Sequence, residues 1–211
     1  MNEPLNSLLD TVEQHCWTPV APLTVTAWKT PEPVPFSQRE TGRKMEMQPG
    51  DMWGDTLFDC AWFRFQATLP DDGADLQSLA LRIDVNGELL LTDNAGIPLR
   101  GLTSRASIFP KEMGRPLKSI FQGLEPITST TSTPWKIECW ADAGYNDLFG
   151  SISGDGSLAV AEIVAARPEV RALYYDIDVL LDAMKHLPEE HPQRSTIQTA
   201  LNTVQRQLNH V

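Results

Sequence analysis

Apolar and polar residues alternate from Cys60 to Leu69, with Ala61, Phe63, Phe65, Ala67 and Leu69 on one side and Trp62, Arg64, Gln66 and Thr68 on the other. That period predicts a strand with one buried face. From Trp135 to Ala141 the same pattern sets Trp135, Ile137, Cys139 and Ala141 against Lys136, Glu138, Trp140 and Asp142. Leu79, Leu81, Ile83 and Val85 form a third alternation, followed by Asn86-Gly87, a strong hairpin signal, with Leu89 to Thr92 as the expected returning strand. Asp93 to Gly96 reads as a further turn, and Ser157 to Val164 supplies a last alternation. Short strands separated by turn signals, without helical patterns between them, predict an antiparallel sandwich or jelly roll.

The ends of the chain follow a different period. Pro4 to Cys16 places Leu5, Leu8, Leu9 and Val12 on one helical face, with Pro4 at a tolerated early position. Pro168 to His186 spaces Val170, Leu173, Ile177, Leu180, Leu181 and Met184 as a helix does, and Leu187-Pro188 stops the run. Gln193 to Asn209 repeats the pattern, so the two segments predict a helical hairpin. Between Thr18 and Phe36 stand Pro19, Pro22, Pro31, Pro33 and Pro35, which predict an extended strap pinned by Trp28 and Phe36. The long Gly101–Thr133 stretch, rich in Ser, Thr, Gly and Pro, is expected to hold short strands. The resulting division is an N-terminal helix over 1–17, a proline-rich strap over 18–47, a sandwich over 48–167 and a helical hairpin over 168–211.

Composition narrows the partners. Seventeen Lys and Arg against 28 Asp and Glu leave a net charge of -11. No basic cluster stands ready for phosphates, so neither nucleic acid nor an anionic membrane surface is an expected partner. Cys16, Cys60 and Cys139 are odd in number and lack the paired spacing of a zinc site or a disulfide framework. Reduced, largely buried thiols in a cytoplasmic protein are the reading they support. The N-terminus carries acids where a signal peptide needs basic residues, and no apolar run approaches bilayer length.

Candidate chemistry is sparse. The chain lacks a phosphate-binding loop, a Gly-x-Ser-x-Gly elbow, a His-Glu-x-x-His helix and an EF-hand loop. His186 and His191 with Glu189 and Glu190 combine metal-ligand types, but Pro188 and Pro192 turn the backbone away, and a solvated helix connection accounts for them better. The outward side of Trp62, Arg64 and Trp140 suits stacking on a sugar ring, although tryptophans covered by the strap or the helices fit the usual use of large aromatics. After Ala141 the alternation gives way to a Gly-containing turn that carries Tyr145, Asn146 and Asp147 to a rim, with Asp142 at its start. A polar rim beside aromatics suits a sugar or contact with another domain. Asp142, Tyr145, Asn146 and Asp147 are therefore the candidate binding residues. No catalytic or metal-ligating residue is assigned.

The runs WGDTLFDCAWFRFQATLP, DVNGELLLTDNAGIPLRGLTS, WKIECWADAGYNDLFG with LAVAEIV behind it, and RALYYDIDVLLDAM stand in an order that resembles a known family. They resemble the region preceding the catalytic domain in family 38 glycoside hydrolases, closest to the cytosolic and vacuolar type of α-mannosidase. The resemblance implies a mainly β fold: an antiparallel β-sandwich of jelly-roll, galactose-binding-like type, with an N-terminal helix and a C-terminal helical hairpin. It also implies a non-catalytic part of an enzyme that hydrolyses α-mannosides. The family's zinc-binding His-x-Asp motif and nucleophilic Asp have no matching positions here, so zinc is implied for the full-length enzyme and no cofactor for this chain. The expected partners are its own catalytic domain C-terminal to Val211, a second copy in a homo-oligomer, and a mannoside ligand. The function expected is support of folding, assembly or substrate access, with independent recognition of mannosides as the alternative.

Overall fold

The computed structural model describes residues 3–69, 75–102, 115–145 and 155–208, with the backbone alone for 3–6. Ten strands follow in chain order: β1 (Trp17–Pro22), β2 (Thr24–Thr30), β3 (Arg43–Met47), β4 (Cys60–Leu69), β5 (Leu79–Asp84), β6 (Glu88–Thr92), β7 (Pro98–Gly101), β8 (Ile120–Gln122), β9 (Trp135–Gly144) and β10 (Val160–Ala166). The helices are α1 (Glu3–Gln14), α2 (Pro168–His186) and α3 (Pro192–Leu208). The strands form a four-stranded sheet in the order β1-β10-β5-β8 and a six-stranded sheet in the order β3-β2-β4-β9-β6-β7. This is the expected mainly β sandwich with helices at both ends of the sequence.

The alternation read from the sequence decides which side chains meet between the sheets. Phe63 and Phe65 of β4, Ile137, Cys139 and Ala141 of β9, and Leu89 and Leu91 of β6 share one core cluster with Leu81 and Ile83 of β5 and Ala161 and Ile163 of β10. Each of the larger side chains, fully withdrawn from water, contributes about 1.5–3 kcal/mol. Trp135, expected in the same inner row, is only partly buried against the cluster. Trp53 closes one end: its indole N–H donates to the Val85 carbonyl at 2.8 Å, and its ring meets Phe63 edge-on at 5.5 Å.

Two expectations are corrected. The strap over 18–47 is largely strand: β2 is an interior strand of the six-stranded sheet, paired with β3 on one side and β4 on the other. No proline interrupts Thr24–Thr30, because Pro22 and Pro31 fall just outside it, while Pro19 and Pro22 sit in β1 at a sheet edge, where a missing N–H is tolerated. Only residues 31–42 behave as a strap. The Asn86-Gly87 signal also does not make a hairpin, since β5 lies in the four-stranded sheet and β6 in the six-stranded one. Asn86 adopts a positive φ of 47°, and Gly87 packs so close to Trp53 that a Cβ would stand 2.9 Å from its ring. The connection arches from sheet to sheet, and the inner faces of β5 and β6 meet across the core.

The chain divides into two compact units, Pro19–Ala165 and a second made of Met1–Thr18 with Ala166–Val211. In the second, α1 packs against both α2 and α3. Leu8, Val12, Ile177, Leu181, Met184 and Leu201 of the expected stripes are buried there, joined by Tyr174, which the spacing did not single out. Arg194 anchors the start of α3 by donating from Nη1 to the carbonyls of Met184 and Leu187, which the end of α2 leaves unbonded within the helix.

Candidate functional site

Strand alternation that sends Ala141 and Ala143 inward sends Trp140 and Asp142 to the outer face of the six-stranded sheet. In the antiparallel register Asp142 stands opposite Trp62 of β4 and opposite Leu90 of β6, so the three side chains form a row across the sheet. One step along, Cys60 and Glu88 both pair with Gly144, where the missing side chain leaves a gap. A groove of about 640 Å³ lies here, with Glu32 and Pro33 of the strap along one side and Phe58 and Tyr145 at its end.

The 55–59 loop is pinned to the end of β9. The Phe58 N–H donates to the Tyr145 carbonyl at 2.6 Å, and the Tyr145 N–H donates to the Asp59 carbonyl at 2.9 Å. The Asp59 carboxylate accepts from the N–H groups of Asp55 and Thr56 at 3.1 and 2.8 Å, and Lys29 Nζ approaches it to 2.6 Å. Burial alone lowers the Lys29 pKa, but hydrogen bonds and charge from Asp55 and Asp59 more than reverse this and leave it raised. Phe58 is held at φ +71° with 56% of its surface exposed. Its ring lines the groove.

Electrostatically the groove is acidic. Burial pushes the Asp142 carboxyl above the ordinary aspartate value, and a backbone hydrogen bond from Ala143 only partly opposes it. Among the described residues no basic side chain pairs with Asp142. The Cys60 thiol is raised by burial first, then by the negative charges of Asp142, Glu32 and Asp59.

Of the four candidate binding residues, the structure brings Asp142 and Tyr145 together at this groove, and Asn146 and Asp147 lie outside the described residues. Tyr145 differs from the expected rim residue. Its ring meets Trp53 edge-on at 6.3 Å and covers Gly54, so its main role is to tie the groove to the core. Phe58, Glu32 and Glu88 were not singled out by the sequence. For Phe58 the only signal is an aromatic within a turn-rich stretch, since nothing local shows which way a loop ring points.

Of the other sugar-stacking candidates, Trp62 and Trp140 are covered, and Arg64 is partly exposed with its guanidinium 5.3 and 5.6 Å from the Trp28 and Trp140 ring centres. Trp28, Trp62 and Trp140 are 4%, 6% and 3% exposed, and Val34 and Phe36 of the strap pack over them. The Trp62 indole donates to the Val34 carbonyl at 2.9 Å, Phe36 meets Trp62 edge-on at 5.5 Å, and the Arg39 guanidinium lies 4.4 Å from the Trp140 ring centre. His186 is exposed and bonds only to its own helix, through the Asp182 carbonyl. Among the described residues no three His, Cys, Asp or Glu side chains cluster as metal ligands, so the zinc implied for the family finds no fitting donor set there. No helix among the described residues is long and apolar enough to cross a membrane.

Two antiparallel sheets packed face to face make a double-sheet sandwich, the architectural class to which jelly rolls belong. Residues 21–167 match the family described as the jelly roll domain of alpha-mannosidase, and the chain belongs to that family. It is similar to the mouse (Mus musculus) protein Alpha-mannosidase 2C1, with 26% identity over 199 residues that cover 89% of this chain and 17% of that protein. The chain thus spans under a fifth of the length of the curated relative it matches.

Proposed function

We propose that this chain is the non-catalytic β-sandwich module of an α-mannosidase, supporting the folding, assembly or substrate access of a zinc-dependent catalytic domain. The observation that carries this reading is the family match over residues 21–167, which spans the sandwich from the end of β1 through β10. The chemistry of the described residues agrees with it. The thiols at Cys60 and Cys139 are held by burial in their unreactive protonated form. Free cysteines also suit work in the cytoplasm. Co-expression with an α-mannosidase catalytic region tests the reading. Soluble, zinc-loaded mannosidase activity rises when this chain is supplied, and a yield indifferent to it contradicts the proposal.

A second reading, recognition of a mannoside by the module itself, is favoured by one observation. The groove at Asp142 joins an exposed aromatic ring to a carboxylate without a cationic partner.

A further inference from the structure

Four features of the groove bear on what it holds. Its volume, about 640 Å³, falls within the range of small-molecule sites. Its walls are amphipathic: Phe58, Pro33 and Leu90 offer apolar surface, and Phe58 and Leu90 are 56% and 42% exposed. Asp142 sits in the same row as Leu90, so acceptor oxygens lie beside apolar surface. The backbone that carries Phe58 is set in advance by the hydrogen bonds that tie residues 58 and 59 to Tyr145. Asp59, buried at the same groove, is engaged through Oδ2 by Lys29 and two backbone amides, so its first role is to hold the loop.

A pyranose ring matches this arrangement. One of its faces is a patch of C–H groups that packs on an aromatic or aliphatic wall, and its edge carries hydroxyls that donate to a carboxylate. Phosphorylated and sulfated sugars are excluded by Glu32, Glu88 and Asp142 on the same groove. A free apolar ligand is excluded because it would strip water from Asp142 without offering a donor.

We propose that the groove between Phe58, Leu90 and Asp142 binds a neutral pyranoside, stacked on Phe58 with hydroxyls donated to Asp142. The choice of an α-mannoside among pyranosides rests on the family reading, whereas the site itself rests on the groove.

The test is a titration of the 211-residue chain with methyl α-mannopyranoside, followed by backbone amide NMR, with methyl α-galactopyranoside and methylguanidine as parallel probes. Saturable shifts at Phe58, Leu90 and Asp142 in the millimolar range are expected for the mannoside. Phe58→Gly is the decisive variant, because glycine accepts the positive φ that Phe58 holds under strain. It should melt no lower than the parent chain and bind at least about tenfold more weakly, while Phe58→Tyr keeps binding and Asp142→Asn weakens it about tenfold. Equal shifts with galactoside and mannoside uphold the site and remove only the mannose assignment. The site is overturned by an absence of shifts with both sugars at 50-fold above a millimolar, by shifts elsewhere on the chain, by unchanged binding in Phe58→Gly, or by saturation with methylguanidine alone. None of these outcomes alters the rescue of catalytic activity that tests the module reading.

Discussion

Asp142 and Trp62 face each other across the β4–β9 register on the outer side of the six-stranded sheet, and the carboxylate is half-buried there without a basic partner among the described residues. Burial raises its pKa in the folded protein above the unfolded value. Its contribution to stability is therefore complete below the unfolded pKa and is lost as pH rises through the folded one. Asp142→Asn removes the charge that causes the loss. Thermal melts should show the variant more stable than the parent at pH 7, with the difference shrinking toward pH 3. A variant less stable at pH 7 contradicts the assignment.

The strap depends on a close approach between Phe36 and the β6–β7 turn. Gly96 holds φ +82°, and a Cβ there would lie 2.6 Å from the Phe36 ring. Gly96→Ala is expected to cost about 2 kcal/mol or more in urea unfolding, from backbone strain and displacement of the ring that covers the tryptophans. Gly101→Ala is the control. Nothing lies within 4 Å of its Cβ position, so it should be neutral or stabilise by up to about 1 kcal/mol.

Lys29 and Asp59 hold the loop that carries Phe58. Asp59→Ala removes acceptors from two backbone amides and the more buried partner of a largely covered ammonium. The expected cost is about 3 kcal/mol, read from the urea midpoint at constant slope. Near-ultraviolet circular dichroism should also report a change around Trp53, since Tyr145 is tied to the same loop. A cost below about 1 kcal/mol would contradict this role.

The thiols give an independent check on the core. Cys16 and Cys139 are fully buried and Cys60 is partly exposed. Burial, and then the Glu138 charge, push the Cys139 thiol far up. With a disulfide reagent at pH 8 the folded chain should label at Cys60 alone and slowly, and all three cysteines should label in denaturant. Asp142→Asn should speed labelling of Cys60, because it removes a negative charge that suppresses the thiolate.

The parts of the fold visible in the sequence are those with a long, unbroken period. Cys60–Leu69 alternates over ten residues, and Pro168–His186 keeps one apolar stripe over nineteen, so both appear at the expected bounds. β2 was hidden because the prolines around it dominate the local signal, although Val25 and Ala27 keep the inward alternation between them. The Asn86-Gly87 arch was hidden for a different reason. A tight turn looks the same whether its flanking strands pair with each other or with strands far away in sequence, and here β6 finds β9 while β5 finds β10. The candidate site was partly visible: the break in alternation after Ala141 pointed to Asp142 and Tyr145. Glu32, Phe58 and Glu88 reach the same groove only through long-range register and loop anchoring, which no local pattern encodes.

The central claim, that this chain is a mannosidase module without catalytic machinery of its own, is tested most directly by assaying the purified 211-residue protein on an aryl α-mannoside with added zinc. The account predicts release of the aryl group no faster than the protein-free blank, with or without zinc. Zinc-dependent turnover that a chelator abolishes and that co-purifies with the folded chain would contradict it.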